Sequence, residues 1–145
     1  MSLYLSIDPG NQKCGLLIAD IQSGNVIEAC IVSINKFPEL VAFWHQDYNI
    51  SNIIIGDGTN SNFIGNQLNQ LNIFKYNYVD ERGSTLRARF RYWEIWPPNY
   101  FIRWLPKEIL FPPANLDAIV ALILLEDFLK YRLIWPSKVN IKTWP

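Results

Sequence analysis

The chain has 145 residues, half of them apolar, which is long enough for one sizeable core and predicts a single domain over 1–145. Its 13 basic and 13 acidic side chains cancel, which argues against a protein that holds nucleic acid by bulk electrostatics alone and leaves a local basic stripe open. Two cysteines and one histidine exclude a disulfide-dense scaffold and leave a Cys/His zinc site unsupported.

Leu3 to Asp8 reads as a first strand, because Leu3, Leu5 and Ile7 alternate with Tyr4 and Ser6, and Gly10 follows with the freedom of a turn residue. Cys14 to Asp20 is its hairpin partner, and Asn25 to Ile34 makes a third strand after a turn at Ser23-Gly24. The period then changes. Leu40, Val41, Phe43 and Trp44 form an apolar helical face over Pro38 to Tyr48, with Pro38 in the first turn. Ile53 to Gly56 is short and wholly apolar, as in a strand buried between parallel neighbours, and a polar loop with Thr59, Asn60 and Ser61 follows. Phe63, Gln67, Leu68 and Leu71 suggest a second helix, and Phe74 to Val79 a fifth strand. Ser84 or Thr85 can cap a helix that runs to Tyr92 or Trp93. Ile95 to Pro113 is aromatic, proline-rich and irregular, with one helical turn near Leu105 to Ile109. Asn115 to Leu129 is a helix apolar almost all round and so substantially buried, and the tail from Trp135 to Pro145 packs on the body or joins an interface. Cys14 and Cys30 lie in alternating apolar segments, the setting of buried free thiols in a reducing compartment. No basic-then-apolar leader and no long apolar run occurs, so the expectation is a soluble, cytoplasmic protein without membrane contact.

Three hairpin-linked strands, two helix-linked strands and a closing helix predict a mixed α/β plan, with the fourth strand brought beside the first by a right-handed crossover. That crossover gathers Asp8, Asp57 and Asp80-Glu81 near the ends of strands one, four and five. The strongest constellation combines Asp8, Glu81 and Asp117, the last in the first turn of the closing helix. Converging carboxylates bind magnesium or manganese, hard cations that prefer oxygen ligands and phosphate. Taken singly, Asp8 and Glu81 are also ordinary turn acids, and Asp117 is an ordinary helix N-terminal charge favoured by the dipole.

Three motifs in order carry a family resemblance. Asp8-Pro9-Gly10 followed by Gly15 gives Asp-x-Gly-x-x-x-x-Gly; Asp80-Glu81-Arg82-Gly83-Ser84-Thr85 is close to Asp-Glu-Arg-Leu-Thr-Ser/Thr; and Leu116-Asp117-Ala118-Ile119-Val120-Ala121 leads to Ile123-Leu124. Across most of its length the chain resembles the YqgF/RuvX family, Holliday-junction-resolvase-like and ribosomal-RNA-processing nucleases of ribonuclease-H-like fold. The resemblance implies a five-stranded mixed sheet in the order 3-2-1-4-5 with helices on both faces. It also implies that Asp8, Glu81 and Asp117 are the catalytic carboxylates and the ligands of Mg2+ or Mn2+, with Asp80 outside the ligand set. The implied activity is metal-dependent hydrolysis of phosphodiester bonds in structured nucleic acid, either a four-way DNA junction or precursor ribosomal RNA. Departures are Gly83 in place of leucine, Asp57-Gly58-Thr59-Asn60 in place of a longer loop after leucine-proline, and the aromatic run Trp93, Trp96, Tyr100, Phe101 and Trp104.

Lys13 near Asp8, and Arg82, Arg87 and Arg91 after the second motif, are the candidate phosphate contacts; Arg87 and Arg91 share a helical face and Arg89 points elsewhere. The tryptophans and Tyr100 are suited to stacking on unpaired bases, to core packing or to a homodimer surface. His45 beside Trp44 is structural or exposed. The alternative function is a catalytically inactive nucleic-acid-binding or homodimeric structural module of the same fold.

Overall fold

The computed structural model describes residues 1–58, 60–112 and 115–145. β1 (Leu3–Asp8) is hydrogen-bonded on both edges, antiparallel to β2 (Lys13–Asp20) and parallel to β4 (Ile50–Gly56). β3 (Asn25–Ser33) extends the sheet beyond β2, and the short β5 (Asn77–Val79) lies parallel to β4. β6 (Ile141–Trp144), from the tail, pairs parallel with β3 through Ala29 to Val32. The sheet therefore has six strands in the order β5-β4-β1-β2-β3-β6, which corrects the expected five. Half-buried Ile141 and Trp144 face opposite layers, so both cores hold the added strand in place.

The side-chain alternation of β1 divides the molecule into two layers. Leu3, Leu5 and Ile7 face one side, where Leu40, Val41 and Trp44 of α1 (Phe37–Asp47) and Ile64 and Leu68 of α2 (Ser61–Gln70) cover them. Tyr4 and Ser6 face the other side, under α4 (Asp117–Leu129), whose Ala118, Ala121, Leu122 and Leu125 pack with Leu17, Ala19 and Ile54. The Ser6 hydroxyl donates to the Ala121 carbonyl at 2.7 Å, so this buried polar group is satisfied while it fixes α4 over the central strand. α3 (Ser84–Ile95) packs against α4 through Ala88 with Ile119, Val120, Ile123 and Leu124.

Three local expectations change. Phe74 to Tyr76 is not strand, because only Asn77 to Val79 reach β4, and the Phe74 ring is exposed. α3 is entered through Gly83, whose φ of 72° is a left-handed conformation available to glycine and costly for the leucine of the resembled motif. Phe43, on the periodic face of α1, points into solvent. The helical turn expected near 105–109 is a 3-10 turn at Lys107–Ile109, and Pro113, at the end of the irregular stretch, lies outside the described residues. Both cysteines are buried and unpaired, and among the described residues no helix is long and apolar enough to cross a membrane.

Candidate functional site

Asp8 is the last residue of β1 and, two steps beyond Ser6, falls on the α4 side of the sheet. Directly across the hairpin it pairs with Gly15. The first residue of α4 rests on that glycine: a Cβ there would collide with the backbone carbonyl of Asp117. A hydrogen atom at position 15 is thus what lets the N-terminus of α4 approach the end of β1 and brings Asp117 beside Asp8.

Glu81 arrives from the other direction, just past β5. Its backbone N–H donates to Asp57 Oδ1 at 3.2 Å, and the Asp57 N–H donates to the Val79 carbonyl at 2.9 Å, which locks the ends of β4 and β5 together. Its carboxylate lies over Gly56 and Gly58, where a Cβ at either glycine would strike a carboxylate oxygen. Gly58 supplies a backbone hydrogen bond to the carboxylate. Oε2, however, is buried and has no hydrogen-bond partner among the described residues. An orphaned carboxylate oxygen in such a cradle costs stability unless something positive meets it.

The electrostatics agree with the geometry. The Asp8 carboxyl is pushed up to about 7, first by burial and then by the charges of Asp117 and Glu81. Glu81 is raised by burial and by Asp57 and Asp80, against the opposing Gly58 hydrogen bond. Asp117 is raised by burial, while its hydrogen bond with Asn115 and the charge of Lys13 oppose the shift. Lys13 therefore reaches the acidic site electrostatically. Beneath the acids, the Cys14 thiol is pushed up to about 11 by burial and by Asp8 and Asp117, which makes it an inert packing group. Among the described residues no three His, Cys, Asp or Glu side chains form a ready-made metal cage. The donors are nonetheless all oxygen, mutually repelling and partly desolvated, a set suited to a hard divalent cation and unsuited to a soft one.

The arginines behave differently from the acids. Arg91 is buried: Nε and Nη2 donate to Glu126 at 3.2 and 2.9 Å, and Nη2 also donates to the Leu133 carbonyl at 2.8 Å. Its expected phosphate contact is replaced by an internal ion pair that ties α3 to α4 and the chain after it. Arg87 forms a two-pronged pair with Asp127 at 2.8 and 2.7 Å, and exposed Arg82 closes on Asp80 through its side chain and backbone. The latter pair neutralises Asp80, whose charge still helps to raise Glu81. The three arginines line an open cleft of about 770 Å³ together with Glu126, Asp127, Lys130 and Arg132, and all four of its arginines are already matched by anions.

Asp57, expected near these strand ends but outside the catalytic set, accepts from the Glu81 backbone N–H and raises the Glu81 carboxyl. Its signal was its position at the end of a strand parallel to β1. Asn60 also contributes, donating from Nδ2 to the Gly10 carbonyl at 2.8 Å and so bridging the two loops that flank the acids. Gly10 itself is required for close approach rather than for a left-handed φ, since a Cβ there would meet the Lys13 carbonyl. Thr59 lies outside the described residues, and His45 is exposed on α1. Neither a scan against models of protein families nor a search of curated proteins returns a match to this chain.

Proposed function

We propose that the protein is a magnesium- or manganese-dependent endonuclease of the YqgF/RuvX type, acting on phosphodiester bonds of structured DNA or RNA. The observation that carries this reading is that Asp117 and Glu81 lie near enough to Asp8 for both charges to raise its carboxyl, with one Glu81 oxygen buried and, among the described residues, unpartnered. The sheet supports it too: a central first strand antiparallel to its hairpin partner and parallel to β4, with helices on both faces, suits a ribonuclease-H-like plan. Asp8, Glu81 and Asp117 would hold the cation, which when bound supplies charge to activate water and to stabilise the negative charge that develops on phosphate. The chain's own residues do the rest. Gly56 and Gly58 leave room for the Glu81 carboxylate, and Asp57 fixes its backbone. Gly15 seats Asp117 beside Asp8. Exposed Lys13, whose charge offsets that of Asp117, would meet a phosphate oxygen.

The test is cleavage of a panel of four-way DNA junctions, duplex DNA and structured RNA with Mg2+ or Mn2+, using wild type and Asp8→Asn. Metal-dependent products absent from the variant are expected. A folded protein that binds these substrates and cleaves none, with either metal, refutes the reading and leaves a binding module.

A further inference from the structure

Six large exposed hydrophobic side chains fall between Tyr100 and Phe111, and the four rings among them are bared to an unusual degree: Tyr100 is 69 % exposed, Phe101 78 %, Trp104 76 % and Phe111 75 %. Their backbone is nonetheless anchored. Trp93 Nε1 donates to the Leu110 carbonyl at 3.3 Å over a buried Leu110, and Arg89 Nη2 donates to the Glu108 carbonyl at 2.9 Å. Within the segment, Ile102 and Arg103 both donate N–H to the Asn99 carbonyl, and Trp104 Nε1 donates to the Phe101 carbonyl at 2.7 Å. Rings held outward on a hydrogen-bonded loop are positioned for a partner, since water gains nothing from them.

The cations identify that partner. Arg103 lies 4.4 Å from the centre of the Tyr100 ring and Arg89 lies 4.2 Å from that of Phe111. Exposed Arg103, stacked on its ring, keeps donors at its edge for phosphate oxygens, while Arg89 spends Nη2 on the Glu108 carbonyl and backs the Phe111 ring; the flat faces beside them accept bases. Alternating rings and guanidinium groups match a strand whose bases are unpaired, because a duplex hides its base faces and offers only phosphates. With Arg103 and Lys107 against Glu108, the segment 100–111 is net positive, which favours a polyanion as the occupant. Six residues beyond Phe111 the chain enters α4 at Asp117, so the platform and the acidic site are consecutive on the chain.

We propose that Tyr100, Phe101, Trp104 and Phe111, with Arg89 and Arg103, form a stacking platform for an unpaired polynucleotide strand that leads to the acidic site. The strand's fate rests on the nuclease reading above, whereas its binding does not. The test measures binding of the full-length protein, in chelator, to labelled oligothymidylate, oligouridylate and a blunt duplex of equal length. Single strands are expected to bind at least about tenfold more tightly than the duplex, and Trp104→Ala and Phe111→Ala each to weaken them about tenfold, the loss of one stacked base. Because the lost contacts are uncharged, the salt dependence should stay unchanged in both variants, whereas Arg103→Gln should lower its slope by about one. The two oligonucleotides distinguish DNA from RNA. Equal affinity for duplex and single strand, or unchanged affinity in both ring variants, overturns the platform. So does a dimer in sedimentation that Trp104→Ala dissolves while strand binding is absent, which assigns the rings to a second copy. Single-strand binding without any metal-dependent cleavage keeps the platform and sinks the nuclease reading, so the two failures are separable.

Discussion

Removing the Asp8 charge should stabilise the metal-free protein, because the fold holds that carboxylate against its own interest. In the unfolded chain an aspartate ionises near its ordinary value of 3.8, while in the folded chain burial, Asp117 and Glu81 push Asp8 up to about 7. The folded state therefore keeps its proton longer. The associated stability is present below about pH 4, falls away as pH rises through about 7, and is fully lost above that. A shift of about three units corresponds to about 4 kcal/mol when the group is fully shielded, and water reaching the partly open carboxylate reduces this to about 2–4 kcal/mol. Asp8→Asn keeps the shape and abolishes the titration. Urea melts should then show the variant about 2–4 kcal/mol more stable than wild type near pH 8 and equal to it near pH 4. Mn2+ should raise the wild-type midpoint near pH 8 and leave that of the variant almost unmoved. If Asp8→Asn is destabilised by the same amount at both pH values, the carboxylate is a satisfied structural acid and the reasoning fails.

Gly58→Ala places a methyl group against the Glu81 carboxylate, so Mn2+ affinity by calorimetry should fall at least about tenfold with the far-ultraviolet spectrum intact; an unchanged affinity would separate Glu81 from the metal. Glu126→Ala strands the buried Arg91 guanidinium and should cost about 3–5 kcal/mol in urea melts, whereas Asp127→Asn, at the more exposed Arg87 pair, should cost under about 1 kcal/mol. Ending the chain after Asn140 removes β6 with half-buried Ile141 and Trp144 and should lower stability by about 2–3 kcal/mol, read as a shift in thermal midpoint.

What the sequence made legible follows from how local each signal is. β1 was readable because its alternation lies within six residues, and α4 because Ala118 to Leu125 are buried on every side. β6 was not: its four residues mix Lys142 and Thr143 with Ile141 and Trp144, and its partner β3 lies over a hundred residues earlier. Phe74, Tyr76 and Tyr78 imitate a longer strand by alternation alone, yet β4 offers pairing only from Asn77 onward. Among the site residues, Asp8 could be placed from its own strand, and Glu81 and Asp117 from a strand end and a helix first turn, while their catalytic role came only with the motif resemblance. Arg91 shows the reverse failure. On a helix with three other arginines nearby it reads as surface charge, and only the position of Glu126, 35 residues away, makes it an interior group.

The zero net charge has a local structure. Its 13 cations and 13 anions leave a basic stripe open on paper, but the cancellation is local. Arg82, Arg87, Arg91 and Arg132 are matched within about 3 Å by Asp80, Asp127, Glu126 and Glu94 around one cleft. Three of those pairs hold α3 to the rest of the chain, and all four reduce the field left for a ligand. Among the described residues, Asp8, Asp57, Glu81 and Asp117 form no ion pair of their own, Lys13 offsets only Asp117, and the cost appears as carboxyl groups raised at three of these positions. Arg89 and Arg103 lie on rings instead. The fold thus separates its charge into an acid pole suited to a cation, a largely neutralised cleft that serves structure, and an aromatic loop on which Arg103 is exposed. A phosphodiester strand could approach such an acid pole only after a divalent cation reversed its sign, which makes strand binding at the acids conditional on metal and strand binding at the loop independent of it.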